Sequence, residues 1–154
     1  MTEWSPTQYL QFEKQRTQPA IDLAARVADR SVRTAVDVGC GPGNSTAVLR
    51  RVFPKASLLG VDLSPEMVEK AANRYPDIPF RVCDAAALSG QYDLVFSNAC
   101  LQWIPHHDSL IPKLMERLTD GGVLAVQMPM NEAEPLYRII REVTAEAKWG
   151  FQNV

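Results

Sequence analysis

The spacing of apolar residues changes period several times along the chain. Tyr9, Leu10 and Phe12 give the segment from Ser5 to Thr17 the apolar surface of a short helix, with Ser5 as its cap and Pro6 at the first helical position. A second helix is predicted from Pro19 to about Asp29, carried by Ile21, Leu23, Ala24 and Val27. The pattern then turns strand-like over Thr34–Val38 and breaks at a glycine-rich loop, Gly39-Cys40-Gly41-Pro42-Gly43. A helix follows from Asn44 to about Phe53, stopped by Pro54. Ser57–Val61 reads as the second strand, closed by Asp62, and Ser64 caps the next helix with Pro65 behind it.

Pro79–Cys83 reads as a third, short strand ending at Asp84, and Tyr92–Ser97 as a fourth. A helix is predicted from Asp108 to Leu118 on the spacing of Leu110, Ile111, Leu114, Met115 and Leu118. Asp120-Gly121-Gly122 reads as a turn, Val123–Met128 as the fifth strand, and Glu134 to about Trp149 as the last helix. Strands alternating with helices imply a doubly wound (Rossmann-like) α/β domain, with a mostly parallel sheet and helices on both faces. In such a sheet ligands bind beyond the carboxyl ends of the strands.

Composition narrows the function classes. A chain of 154 residues holds one core. The net charge of −2 offers no basic excess for a phosphate backbone, so no nucleic-acid partner is expected. No apolar run reaches bilayer length, so no membrane partner is expected either. Cys40, Cys83 and Cys100 form no Cys-x-x-Cys pair. No disulfide scaffold or metal site is expected, and a reducing cytoplasm fits. The adjacent His106 and His107 point to different faces of a helix or loop and make a weak case for a base or ligand.

The residues with chemistry fall at the carboxyl ends of the predicted strands. After the first strand, the glycines allow a tight turn and a close approach of main-chain N–H groups to a ligand, and the helix start beyond favours an anion. Asp62, roughly 20 residues after the loop, is placed to accept from two ribose hydroxyls and repels a 2′-phosphate; it equally suits a helix cap. Asp84, followed by Ala85, suits an adenine amino group or an ordinary turn. Ser97-Asn98-Ala99 ends the fourth strand, where backbone carbonyls can hold an ammonium, and Trp103 is a candidate pocket wall or a core residue. Gly39, Gly41 and Gly43 make G-x-G-x-G where a dinucleotide fingerprint needs G-x-G-x-x-G. That displaced glycine, and the absence of a Tyr-x-x-x-Lys dyad, count against an NAD-dependent oxidoreductase. A non-catalytic cofactor-binding module stays open.

This motif series resembles that of class I S-adenosylmethionine-dependent methyltransferases. The closer likeness is to the trans-aconitate 2-methyltransferase family, over Trp4-Ser5-Pro6 with Tyr9-Leu10 and Phe12, Asp37 through Thr46, Asn98 through Trp103, and Gly122 through Pro129. The resemblance implies S-adenosylmethionine as cofactor, with S-adenosylhomocysteine as product, and methyl transfer to a small carboxylic acid. It implies that Gly39 and Gly41 approach the methionine part with Asn98 beside it, and that Asp37 and Asn44 also bind the cofactor. Asp62 and Leu63 take the ribose and adenine edge, and Asp84 and Ala85 the adenine. Residues 1–30 are expected to cover the cofactor, with Tyr9 and Arg16 in contact, and 31–154 to form the core. Trp4, Gln102 and Trp103 are expected to line the substrate pocket. The fold so implied has seven strands against five counted here, so a truncated domain is expected. It lacks the usual last strands and substrate cap, and its exposed sheet edge is open to self-association.

Overall fold

A computed structural model describes residues 17–130 and 134–145. Helix α1 covers 17–25 of these. Then follow β1 (Thr34–Val38), α2 (Asn44–Val52), β2 (Ser57–Asp62), α3 (Pro65–Arg74), β3 (Phe80–Val82), β4 (Tyr92–Asn98), α4 (His107–Met115), β5 (Leu118–Gln127) and α5 (Pro135–Thr144). Short 3-10 turns at Ala85–Ala87 and Leu101–Trp103 follow β3 and β4. The expected helix from Ser5 lies outside the described residues except for Thr17, as does the last helix beyond Ala145.

The five strands form one sheet in the order β3-β2-β1-β4-β5, and every pairing is parallel. Chain order reverses between β1 and β4, which opens a crevice at their carboxyl ends. Alternation along the strands divides the core between two faces. Ala35, Leu58, Leu94 and Phe96 pack with Ala20, Ala24 and Val27 and with Val48 and Leu49 of α2. Val36, Val38, Val61 and Val95 pack on the other face with Leu110 and Leu114 of α4. Central strands covered on both sides need near-continuous apolar runs, and β1 and β4 have them.

The boundary between α4 and β5 differs from expectation. Leu118, read as the last helical position, instead opens β5 and pairs with Tyr92. The predicted Asp120-Gly121-Gly122 turn lies inside the strand. The ladder steps from Tyr92↔Leu118 to Leu94↔Val123, so extra residues bulge out of register there. Gly121 adopts a φ of +75°, a conformation that glycine takes without strain.

Candidate functional site

β1 ends beneath the glycine loop, and the loop is tied to the neighbouring strand. The N–H groups of Gly39 and Cys40 both donate to the Val61 carbonyl, at 2.8 and 3.0 Å. Gly39, Gly41 and Gly43 all have positive φ, at +74°, +52° and +89°. A Cβ on Gly39 would lie 2.1 Å from the Cys100 sulfur, whereas a Cβ on Gly41 would meet nothing within 4 Å. The first glycine is needed for close packing; the second leaves open space above the loop.

Two cavities meet at this loop. The first, of about 540 Å³, is walled by Gly39 and Gly41, by Asp62 and Leu63 after β2, by Asp84 and Ala85 after β3, and by Ala99, Cys100 and Trp103 after β4. The second, of about 420 Å³, is walled by the same glycines, by Asn44 and Ser45 at the start of α2, by Asn98, Ala99 and Gln127 at the ends of β4 and β5, and by Thr17 and Pro19 of α1. Each volume lies within the range of small-molecule sites. Ala99 belongs to both walls and holds a φ of +52°, a conformation rarely adopted by a residue with a side chain.

Asp62 sits where the first cavity meets the loop. One carboxylate oxygen accepts from the Gly41 N–H at 2.9 Å and the other from the Ser64 N–H at 2.9 Å. It therefore braces the loop and the start of α3, with lone pairs left for a ligand. Leu63 is 69% exposed at the rim. Asp84 accepts from the Ala86 N–H at 2.8 Å through one oxygen, so it caps its own turn while lining the cavity.

Asp37 is placed differently from a cavity wall. It is fully buried beneath the loop, and one oxygen accepts from the Ser45 and Thr46 hydroxyls at 2.6 Å each. Its other oxygen has no partner among the described residues. Burial pushes its carboxyl up to about 6, opposed by the two hydroxyls and assisted by the nearby Asp62 charge. Asp37 thus joins β1 to α2 and shapes the loop from below.

Of the expected substrate residues, Trp103 lines the first cavity and is 81% exposed. Gln102 lines neither cavity; its amide nitrogen donates to the Ala99 carbonyl at 2.8 Å. Trp4, Tyr9 and Arg16 lie outside the described residues. His107 closes on the Leu101 carbonyl at 2.7 Å through Nε2, a structural contact, and His106 caps α4 with a φ of +60°. The three cysteines are free, and no cluster suited to a metal occurs among the described residues. No helix of the described residues is long and apolar enough to cross a membrane. Gln127 was not singled out from the sequence as a site residue. Gln127 stands within the Val-Gln-Met-Pro run, but only the pairing of β4 with β5 brings it beside Asn98.

Residues 35–122 match the family model described as a methyltransferase domain. The chain belongs to this methyltransferase-domain family. The family match sets aside the oxidoreductase rival. Among relatives, a trans-aconitate 2-methyltransferase of Methylobacterium radiotolerans is 48% identical over 152 residues, covering 97% of this chain and 58% of that protein. One from Methylobacterium nodulans is 49% identical over 148 residues, covering 95% and 57%. This methyltransferase domain therefore spans less than two thirds of the length of these relatives. Its fold matches that of the S-adenosylmethionine-bound amino pentose methyltransferase CalS10 from Micromonospora echinaspora, with a TM-score of 0.68 at 21% identity over 84% of this chain and 58% of that one.

Proposed function

We propose that this domain binds S-adenosylmethionine and serves methyl transfer to a carboxylate of a small acid of the trans-aconitate type, giving a methyl ester. The observation that carries the reading is a single cavity walled by the glycine loop, Asp62–Leu63 and Asp84–Ala85. Those groups suit a backbone-cradled chain, a ribose and an adenine in that order. The likeness to the two trans-aconitate 2-methyltransferases supports the acceptor.

The residues present fit the cofactor. Gly41 leaves the space a ligand needs, and Asn98 and Gln127, which line the second cavity, each hold a buried amide oxygen without a partner among the described residues. When bound, S-adenosylmethionine supplies an electrophilic methyl group on a sulfonium. Asp62 would hold the ribose hydroxyls, Asp84 and Ala85 the adenine, and the loop and Asn98 the methionine part. The acceptor needs no base, because a carboxylate with a pKa near 4 is already ionised at neutral pH. What remains for the protein is alignment and exclusion of water. The N-terminal residues 1–30, with Trp4, Tyr9 and Arg16, are part of this proposal as a cover over the site. So is a cytoplasmic location, which three free thiols suit. Self-association through the β5 edge completes it, and nucleic acid has no place in it.

The test is calorimetric titration with S-adenosylhomocysteine. Asp62→Ala is expected to weaken binding by about 1–3 kcal/mol, the worth of charge-assisted hydrogen bonds. Because Asp62 also braces Gly41, Asp62→Asn serves as the control: it keeps an acceptor oxygen and should lose less. Equal affinity in all three proteins removes the ribose role, and no binding by the parent chain removes the whole reading.

A further inference from the structure

The end of β5 contributes a residue whose chemistry faces two ways. Gln127 is the register partner of Asn98, so both side chains leave the sheet on the same side. Both line the second cavity, and the backbone holds them there: the Ala99 N–H donates to the Gln127 carbonyl at 2.8 Å. The Gln127 side-chain oxygen is buried and has no hydrogen-bond partner among the described residues, and the same is true of Asn98. A buried amide oxygen left unpaired is costly and calls for a donor that the described residues do not supply. Two such acceptors, side by side, suit an ammonium group. No charged side chain among the described residues lines this cavity, so an anion entering it has only neutral donors to meet.

We propose that Gln127 is a positioning residue that bridges the two reactants. Its oxygen accepts from the ammonium of the cofactor's methionine part, and its amide N–H group donates to a carboxylate of the acid acceptor. This rests on the function proposed above and adds the residue that sets one reactant against the other. A neutral amide suits the task. An arginine clamp on the acceptor would draw charge from the attacking oxygen, whereas an amide orients a carboxylate and leaves its charge for the sulfonium. Glutamine also places donor and acceptor about 2 Å apart on one rigid plane, so the two ligands are fixed relative to each other.

Two substitutions separate the two contacts. Gln127→Glu keeps an acceptor for the ammonium and replaces the donor with a like charge against the acid. Gln127→Met keeps the size and removes both. The readout is calorimetry: S-adenosylhomocysteine onto each protein, then trans-aconitate onto each protein already saturated with it. For Gln127→Glu the expected result is S-adenosylhomocysteine affinity within about threefold of the parent and acid affinity at least tenfold weaker. For Gln127→Met both affinities are expected to fall. Acid binding unchanged in Gln127→Glu overturns the bridge. So does unchanged binding of both ligands in Gln127→Met, which also decides the matter if the glutamate variant fails to fold. A parent chain that takes S-adenosylhomocysteine but not trans-aconitate overturns the bridge and leaves the cofactor reading standing. A parent chain that takes neither removes that reading first.

Discussion

Asp37 and Gly39 show how closely the loop is tied to the core beneath it. Asp37 is a fully buried carboxyl raised to about 6, chiefly by loss of solvent. A carboxyl raised in the folded state binds its proton more tightly there than in the unfolded chain. Its stabilising contribution is therefore present below about pH 4 and is lost as pH rises through 6, the reverse of an ion-paired aspartate. The size is bounded at about 3 kcal/mol. Denaturant unfolding of the parent and of Asp37→Asn at several pH values should show the difference. Relative to the variant, the parent is expected to lose stability between pH 4 and 6 and then level off. A constant difference across that range removes the inferred protonation. Gly39 is constrained twice, by a φ of +74° and by the Cys100 side chain that its Cβ would strike. Gly39→Ala is expected to cost about 1–3 kcal/mol of stability. Adding Cys100→Ala removes the sulfur but keeps its Cβ, which the new methyl would still approach to 2.3 Å, so only part of the loss should return. Full recovery in the double variant would mean that the positive φ costs nothing.

The elements were legible wherever one period held for a whole segment. β1 and β4 sit at the centre of the sheet and are mostly apolar, Asp37 and Ser97 being their buried polar exceptions, so their sequence and their burial largely say the same thing. The end of α4 was misread because Leu118 satisfies the helical spacing, while its true partner is Tyr92, distant in sequence. Local spacing cannot report a cross-strand pairing, and a glycine pair reads as a turn whether it ends a strand or bulges from one. A second device at this end of the sheet was equally hidden. Asp93 accepts from the N–H groups of Arg33 and Thr34 at 2.9 and 3.1 Å and from the Thr119 hydroxyl at 2.7 Å. One side chain thus clips β1, β4 and β5 together. The Thr119 hydroxyl first, and the Arg33 N–H next, hold its carboxyl below the usual value. The corresponding stability is present at neutral pH and is lost as the medium turns acid enough to protonate Asp93. Asp93→Ala is expected to cost about 1–3 kcal/mol at pH 7, measured by denaturant unfolding. S-adenosylhomocysteine affinity should not change, because the clip lies at the opposite end of the strands from both cavities.

On the scale of the molecule, the walls of the first cavity were readable because Gly39, Asp62, Asp84 and Ala99 stand at or just past the carboxyl ends of four strands and the strand order obeys a general rule. The wall of the second cavity was not, since it depends on two strands meeting: Gln127 means little until β5 is known to lie beside β4. The same topology leaves β5, ten residues long, an edge strand paired only with β4 among the described residues. Unpaired N–H and C=O groups along such an edge are a template for another chain. The helix that follows offers no cover of its own: α5 has no buried residue, and Leu136, Ile139 and Ile140 are exposed. Sedimentation velocity on the 154-residue chain should therefore show mass increasing with protein concentration. Ile139→Glu separates the two surfaces. The residue is 55% exposed on α5, so the charge is tolerated by the monomer and repelled from an apolar helix contact. Association that persists in this variant belongs to the strand edge, as proposed; association that vanishes belongs to the helix face. A single monomeric species at every concentration would mean that the edge is covered by the chain itself.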